Sequence, residues 1–210
     1  NAPDGRKIFS GWLNNWAYAQ VLPTQKWRGA LTSPRDLSLV HVGDSYFVRS
    51  RLSREIAALA GKSATAPPST SDTVDISKAL SFSPAVSLIE GTVEAKDFIL
   101  RLGNKKGQHV LIGYQAKQNE FYVDRSQSGD TAFSPNFFPR NRAPRIGTGP
   151  VRFQVVADVS AVEVFFDEGL SVLTNLFFPD EPVSSVMLYS PDGLVKTDTL
   201  KITELKSIWK

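Results

Sequence analysis

Between Gly11 and Trp16 the chain reads Gly-Trp-Leu-Asn-Asn-Trp, two indoles and two carboxamides in close succession. Indole faces stack on the C–H faces of a pyranose or furanose ring, and an asparagine side chain offers both a donor and an acceptor to hydroxyls. The chemistry such a group can do is sugar recognition. If the chain is extended here, Trp12, Asn14 and Trp16 share one face and Leu13 and Asn15 the other. The alternative is structural: an indole packs in the core with its N–H satisfied, and the amides serve neighbouring backbone at a sheet edge. Composition by itself leaves both open.

Other reactive side chains are less organised. Asp124-Arg125-Ser126 offers a hydroxyl, but a serine becomes a nucleophile only with a base in reach. His41 and His109 are the whole histidine complement, and neither stands at a spacing that builds a triad or a metal site. Glycoside hydrolysis usually needs two carboxylates flanking the bond. Asp158 and Glu163 come nearest to such a pair, yet Glu163 falls between Val162 and Val164 on a strand, where a solvated or arginine-paired role is expected. Asp167 and Glu168 fall in a turn. Gly147-Thr148-Gly149-Pro150 lacks the lysine and the strand-to-helix setting of a phosphate cradle. No catalytic residue, metal ligand or cofactor site is therefore assigned within this chain.

The elements that must position these groups are strands. With 41% hydrophobic and 21% charged residues among 210, the chain is expected to fold. Its formal charge of +3 is spread without a basic run, which argues against a nucleic-acid partner. The absence of cysteine excludes disulfides and thiolate chemistry. No apolar run reaches the roughly 18 to 20 residues of a membrane span, so no membrane partner is expected.

Short alternating runs separated by turn residues predict an all-β fold. Near the start these runs are residues 7–16, 29–42 and 45–52, with Gly43-Asp44 a tight turn. Pro3-Asp4-Gly5 also reads as a turn, so the chain opens as though inside a fold begun upstream. Residues 53–73 start with a helical turn and end in a Ser-, Thr-, Pro- and Ala-rich stretch, read as a linker over 61–73. Beyond it strand runs are predicted over 87–95, 98–104, 109–126, 151–158, 161–169, 170–178, 185–190 and 201–209. In Val162-Glu163-Val164-Phe165-Phe166, residues 162, 164 and 166 share one face and Glu163 and Phe165 the other. The spacing of the turns is that of a β-sandwich of two packed sheets.

Taken in order, Gly11-Trp12, Asn14 to Trp16, Pro23-Thr24, Trp27-Arg28 and Pro34 to Leu37 resemble a stretch of glycoside hydrolase family 32, the β-fructosidases that include invertases, levanases and exo-inulinases. Asp36 stands where the family usually has Glu. Residues 121–133 and 155–179 resemble the signatures of that family's C-terminal sandwich, with Val159-Ser160-Ala161 in place of the family's Arg-Ser-Ser. The resemblance spans nearly the whole chain and is weakest over 61–73.

The resemblance implies the last strands of a five-bladed β-propeller over 1–60, the linker over 61–73, and a jelly-roll-like β-sandwich over 74–210. It implies part of a retaining enzyme that hydrolyses terminal fructosyl units of inulin, levan or sucrose, acting outside the cell or in the periplasm without a cofactor. The family's nucleophile, stabiliser and acid/base motifs are missing from this chain, so this piece alone is expected to be inactive. The propeller that carries them is expected on another chain or on a lost piece. Trp16 is the residue assigned to the wall of the fructosyl pocket, with Trp12 and Asn14 next, the amides bonding sugar hydroxyls or holding neighbouring loops. A different class of reading is a stand-alone glycan-binding or structural sandwich. The loop bearing Phe137, Phe138, Arg140 and Asn141 is its one aromatic hint, though a buried contact with the propeller is the expectation there.

Overall fold

The computed structural model describes residues 2–94 and 96–208, and among them regular structure is almost entirely strand. Strands β1 (Lys7–Phe9), β2 (Arg35–Val42) and β3 (Ser45–Leu52) form a three-stranded antiparallel sheet in the order β1-β2-β3. Gly43, at φ +59°, opens the two-residue turn that sets Val42 opposite Ser45, a backbone conformation glycine adopts at no steric cost. A 3-10 helix, Arg54–Leu59, follows.

Residues 61–73 do not form the expected linker. They contribute to β4 (Ala60–Ala66), β5 (Ser69–Ser71) and the start of β6 (Thr73–Asp75). The Ser, Thr and Ala that read as flexible are instead a half-exposed edge, with β4 and β5 both pairing β16 (Val195–Leu205). Small polar side chains are tolerated there because backbone pairing to a buried neighbour holds the segment.

The remaining strands are β7 (Ser87–Val93), β8 (Phe98–Gly103), β9 (His109–Gln115), β10 (Glu120–Gln127), β11 (Arg140–Pro144), β12 (Val151–Asp158), β13 (Ala161–Phe166), β14 (Ser171–Leu176) and β15 (Ser185–Tyr189). They make a six-stranded sheet, β11-β10-β9-β8-β15-β6, and a second sheet ordered β14-β13-β12-β7-β16-β4 with β5 added on β16. Inward residues alternate along these strands: Ile89 and Val93, Leu100 and Leu102, Val155 and Ala157 are all fully buried in one core between the sheets. The run predicted over 201–209 ends as a strand at Leu205, and its Trp209, like Ala95 of the run 87–95, lies outside the described residues.

β13 departs from simple alternation. Val162, Val164 and Phe166 face the core, but Glu163 and Phe165 on the opposite face are buried as well. The three-stranded sheet covers them. Arg35 at the head of β2 donates from Nη2 to Glu163 (2.5 Å) and to Thr174 Oγ1 (2.7 Å), and its guanidinium lies 5.2 Å from the Phe165 ring centre. The backbone N–H of Ser33 donates to the other Glu163 oxygen at 2.6 Å. Of the two roles expected for Glu163, the arginine-paired one holds. Nearby, Gly169 at φ +86° lies so close to the Ser50 carbonyl that a Cβ there would have no room.

Arg6 organises the outer end of the small sheet, bonding Asp4 (2.7 Å), Asp36 (2.9 Å) and Glu55 (2.5 Å). Hydrogen bonds from Arg6, and then from Ser53, hold the Glu55 carboxyl down at about 2.

Two outcomes are expected. Arg35→Met strands a buried carboxylate and lowers unfolding stability by about 3 to 5 kcal/mol, whereas Arg35→Met combined with Glu163→Leu recovers most of the loss; urea denaturation of the three proteins measures both. Because the folded Glu55 pKa is depressed, the Arg6 cluster is intact above the ordinary value of 4.5 and comes apart as pH falls toward about 2. A carboxyl NMR titration of Glu55 follows it.

Candidate functional site

The Gly11–Trp16 stretch is not a strand. Trp12 makes a single isolated bridge to Leu31, and residues 16–18 turn into a short 3-10 helix, Ala19–Val21. The asparagines are the reason. Asn14 Oδ1 accepts the N–H of Asn15 (2.8 Å), and Asn15 Oδ1 accepts the N–H of Ala17 (2.9 Å). Such local bonds compete with ladder pairing and favour turns. The Asn15 carbonyl then takes the N–H groups of Tyr18 and Ala19.

Turning the chain still brings the two indoles together. Their ring centres are 4.8 Å apart at 57°, with Trp12 41% and Trp16 83% exposed. The Trp12 indole lies across Gly29, where a built Cβ would come within 2.5 Å of its Nε1. Asn14 is half-buried and donates from Nδ2 to the Arg28 carbonyl at 3.1 Å. It holds a neighbouring loop, one of the two roles expected for the amides. The site therefore offers a tilted pair of aromatic faces to solvent, framed by a pinned amide.

Beneath the pair lies a second apolar cluster. Leu13, Tyr18 and Leu22 from the loop meet Phe137, Leu176 and Phe178 from the sandwich, with Trp27 and Phe133 packed against them. Phe137 is buried in this contact and Phe138 points out, 61% exposed. The expected burial of the 137–138 loop is thus met at Phe137. Tyr18 and Phe133 are residues that sequence reasoning missed; the available signal was the aromatic two positions beyond Trp16.

The other candidates are dispersed. Asp124 bonds Ser126 Oγ (2.7 Å) and Arg140 (3.2 Å). The His41 ring packs on Tyr46, and His109 Nδ1 lies 2.8 Å from the Gly107 carbonyl. Asp167 and Glu168 do occupy a turn, at φ +47° and +60°. A separate cleft of about 450 Å³ runs between β3 and the outer face of the β12-β7-β16 strands, lined by Arg51, Glu90, Thr92, Arg152, Gln154 and Glu168. Gln154 donates to Glu90 at 2.9 Å, while Arg51 and Arg152 (3.0 Å) bond Glu168. The Arg51 bond keeps the Glu168 carboxyl below its usual range, so it is a charged acceptor rather than a proton donor.

The profile described as Glycosyl hydrolases family 32 C terminal matches residues 48–206, the greater part of the chain. The chain belongs to glycosyl hydrolase family 32. The profile of that family's N-terminal domain matches residues 1–50, so the two meet within β3. Among curated relatives, a levanase of Bacillus sp. (strain L7) is 33% identical over 99% of this chain and 23% of its own length. A levanase of Bacillus subtilis (strain 168) is 30% identical over 98% of this chain and 32% of its own. The crystal structure of an exo-inulinase from Aspergillus awamori superposes with a TM-score of 0.81 at 25% identity, covering 96% of this chain and 41% of that one. The chain thus spans roughly a quarter to two fifths of the length of these relatives.

Gly29→Val is expected to push the Trp12 indole off its seat while leaving the sandwich intact. Acrylamide quenching of tryptophan emission should rise with an unchanged thermal midpoint for the sandwich core.

Proposed function

We propose that this chain is the C-terminal part of a retaining β-fructosidase that releases terminal fructosyl units from levan, inulin or sucrose. The observation that carries the reading is the exposed Trp12–Trp16 pair, set on a loop that the sandwich grips from below. Aromatic faces of this kind suit the apolar C–H surface of a sugar ring. Trp16 walls the fructosyl pocket, Trp12 backs it, and Asn14 fixes the loop between them. Levanases and exo-inulinases among the relatives support the substrate class, and the relatives named as extracellular exo-inulinases support action outside the cell or in the periplasm.

In this reading the three-stranded sheet belongs to the last part of a five-bladed propeller, whose remaining strands lie outside these 210 residues. Exposed Leu39, Tyr46 and Val48 on β2 and β3 support it, since an uncovered apolar sheet face of this kind calls for a partner. That remainder would carry the carboxylate that attacks the anomeric carbon, the carboxyl that protonates the leaving oxygen, and the carboxylate that steadies the transition state. Water then releases fructose from the enzyme. The present chain supplies the wall and the brace, and is inactive alone.

A second reading, a sandwich that binds glycan without cleaving it, is favoured by the polar cleft beside β3. Exposed aromatics do not favour it, because Phe138 is the one large ring exposed on the described sandwich.

Intact mass of the purified protein, with fructose release assayed on the same sample, separates these readings. A species of 23.1 kDa is expected to release no fructose, and release by that single species would overturn the assignment of the chemistry to the missing part. In the complete enzyme Trp16→Ala is expected to lower kcat/KM on fructan about tenfold, equivalent to roughly 1.4 kcal/mol.

A further inference from the structure

Arg125, on β10 of the sandwich, is a buried cation without an anion. It is 3% exposed, and no carboxylate among the described residues pairs with it. Burial draws its pKa down, and Tyr18 opposes that shift. A guanidinium in such a place is costly unless its N–H groups and its face are all used.

They are used to join three separate segments. Nε donates to the Phe138 carbonyl (3.0 Å) and Nη1 to the Leu176 carbonyl at the end of β14 (2.8 Å). The guanidinium carbon Cζ lies over the Phe137 ring, 3.5 Å from its centre, and over that of Tyr18 at 6.0 Å. Tyr18 in turn stands edge-on to Phe137 and Phe133, at 5.3 and 6.1 Å. On the outer side of the same contact, Asn136 Nδ2 donates to the Ala17 carbonyl at 3.4 Å. Ala17 and Tyr18 directly follow Trp16. The sandwich loop thus grips the chain at the two residues after the exposed indole, and Arg125 is the group that fixes that loop to β14.

We infer that Arg125 is a positioning residue: by clamping Phe137 and Tyr18 it sets the angle between Trp12 and Trp16 and so shapes the sugar-binding wall from within the sandwich. The sugar-binding half rests on the function proposed above; the clamp itself does not. A simple hydrophobic contact would hold Tyr18 in place with freedom to slide. Two charge-assisted bonds to carbonyls and a cation facing two rings restrict direction as well as distance.

Two indoles this close and tilted couple their transitions, which gives a couplet in the far-ultraviolet circular dichroism. Trp16→Phe abolishes the couplet and so assigns it. Arg125→Met is expected to lose it while amide exchange in the main core strands stays slow. An unchanged couplet in folded Arg125→Met overturns the inference. If Arg125→Met does not fold, Tyr18→Leu removes the other face of the clamp, outside the main core; loss of the couplet supports the inference and its retention overturns it. A sugar titration monitored by tryptophan emission, run on the complete enzyme with an inulin-type oligosaccharide, keeps the two parts distinct. Weaker binding in Arg125→Met and in Trp16→Ala supports both halves. A lost couplet with unaltered binding in both variants leaves the clamp standing and overturns the sugar-binding role.

Discussion

The arrangement of the molecule depends on one buried ion pair. Glu163 sits on the outer face of a sandwich strand, a position that solvent would ordinarily claim, and Arg35 reaches it from the first residue of β2. Desolvating both charges is expensive, and the cost is offset by the partners each charge finds: Ser33 and Arg35 on the carboxylate, Glu163 and Thr174 on the guanidinium Nη2, and Phe165 under its face, while Arg35 Nε is buried without a hydrogen-bond partner. Such a pair tolerates little displacement. It therefore specifies how the small sheet lies on the sandwich more sharply than apolar contact could.

From that seating the rest follows in steps. With β2 fixed, the loop before it passes over the end of the sandwich, where Leu13, Tyr18 and Leu22 find Phe137, Leu176 and Phe178. Asn14 and Asn15 bend the chain so that its apolar residues point down and its indoles point out. The candidate sugar wall is thus a surface feature whose geometry is held from two sides, by backbone-mimicking amides within the loop and by rings and a guanidinium beneath it. The sandwich has a mechanical role in the site although, among the described residues, it presents only one exposed aromatic of its own.

Much of this was legible in the residues. The runs at Ser87–Val93, Phe98–Leu102 and Val151–Ala157 were recognisable as strands, and the structure shows their burial alternating, because successive side chains of a strand point to opposite faces. The family motifs likewise identified Trp12, Trp16, Arg35 and the strand bearing Glu163 as related parts. Two local readings failed for opposite reasons. The amides of Asn14 and Asn15 outbid strand pairing where alternation predicted extension, and strand pairing to β16 captured residues 61–73 where composition predicted a linker. In both cases two local forces were in competition, and their relative strength depended on whether a sheet neighbour was present.

The sequence by itself determined that the chain is all-β, that short strands alternate with turns as in a sandwich, and that indoles and amides cluster near its start. Those properties follow from period and composition, which act within a few residues. Only the tertiary structure decided that Glu163 and Phe165 are buried too, that Trp12 meets Trp16 through a turn, and that Arg125 lies against Tyr18 and Phe137. The indole contact turns on the local Asn14 and Asn15 bonds, but the other two require segments more than a hundred residues apart to share one dry volume, and no local pattern records which distant partner will fill it.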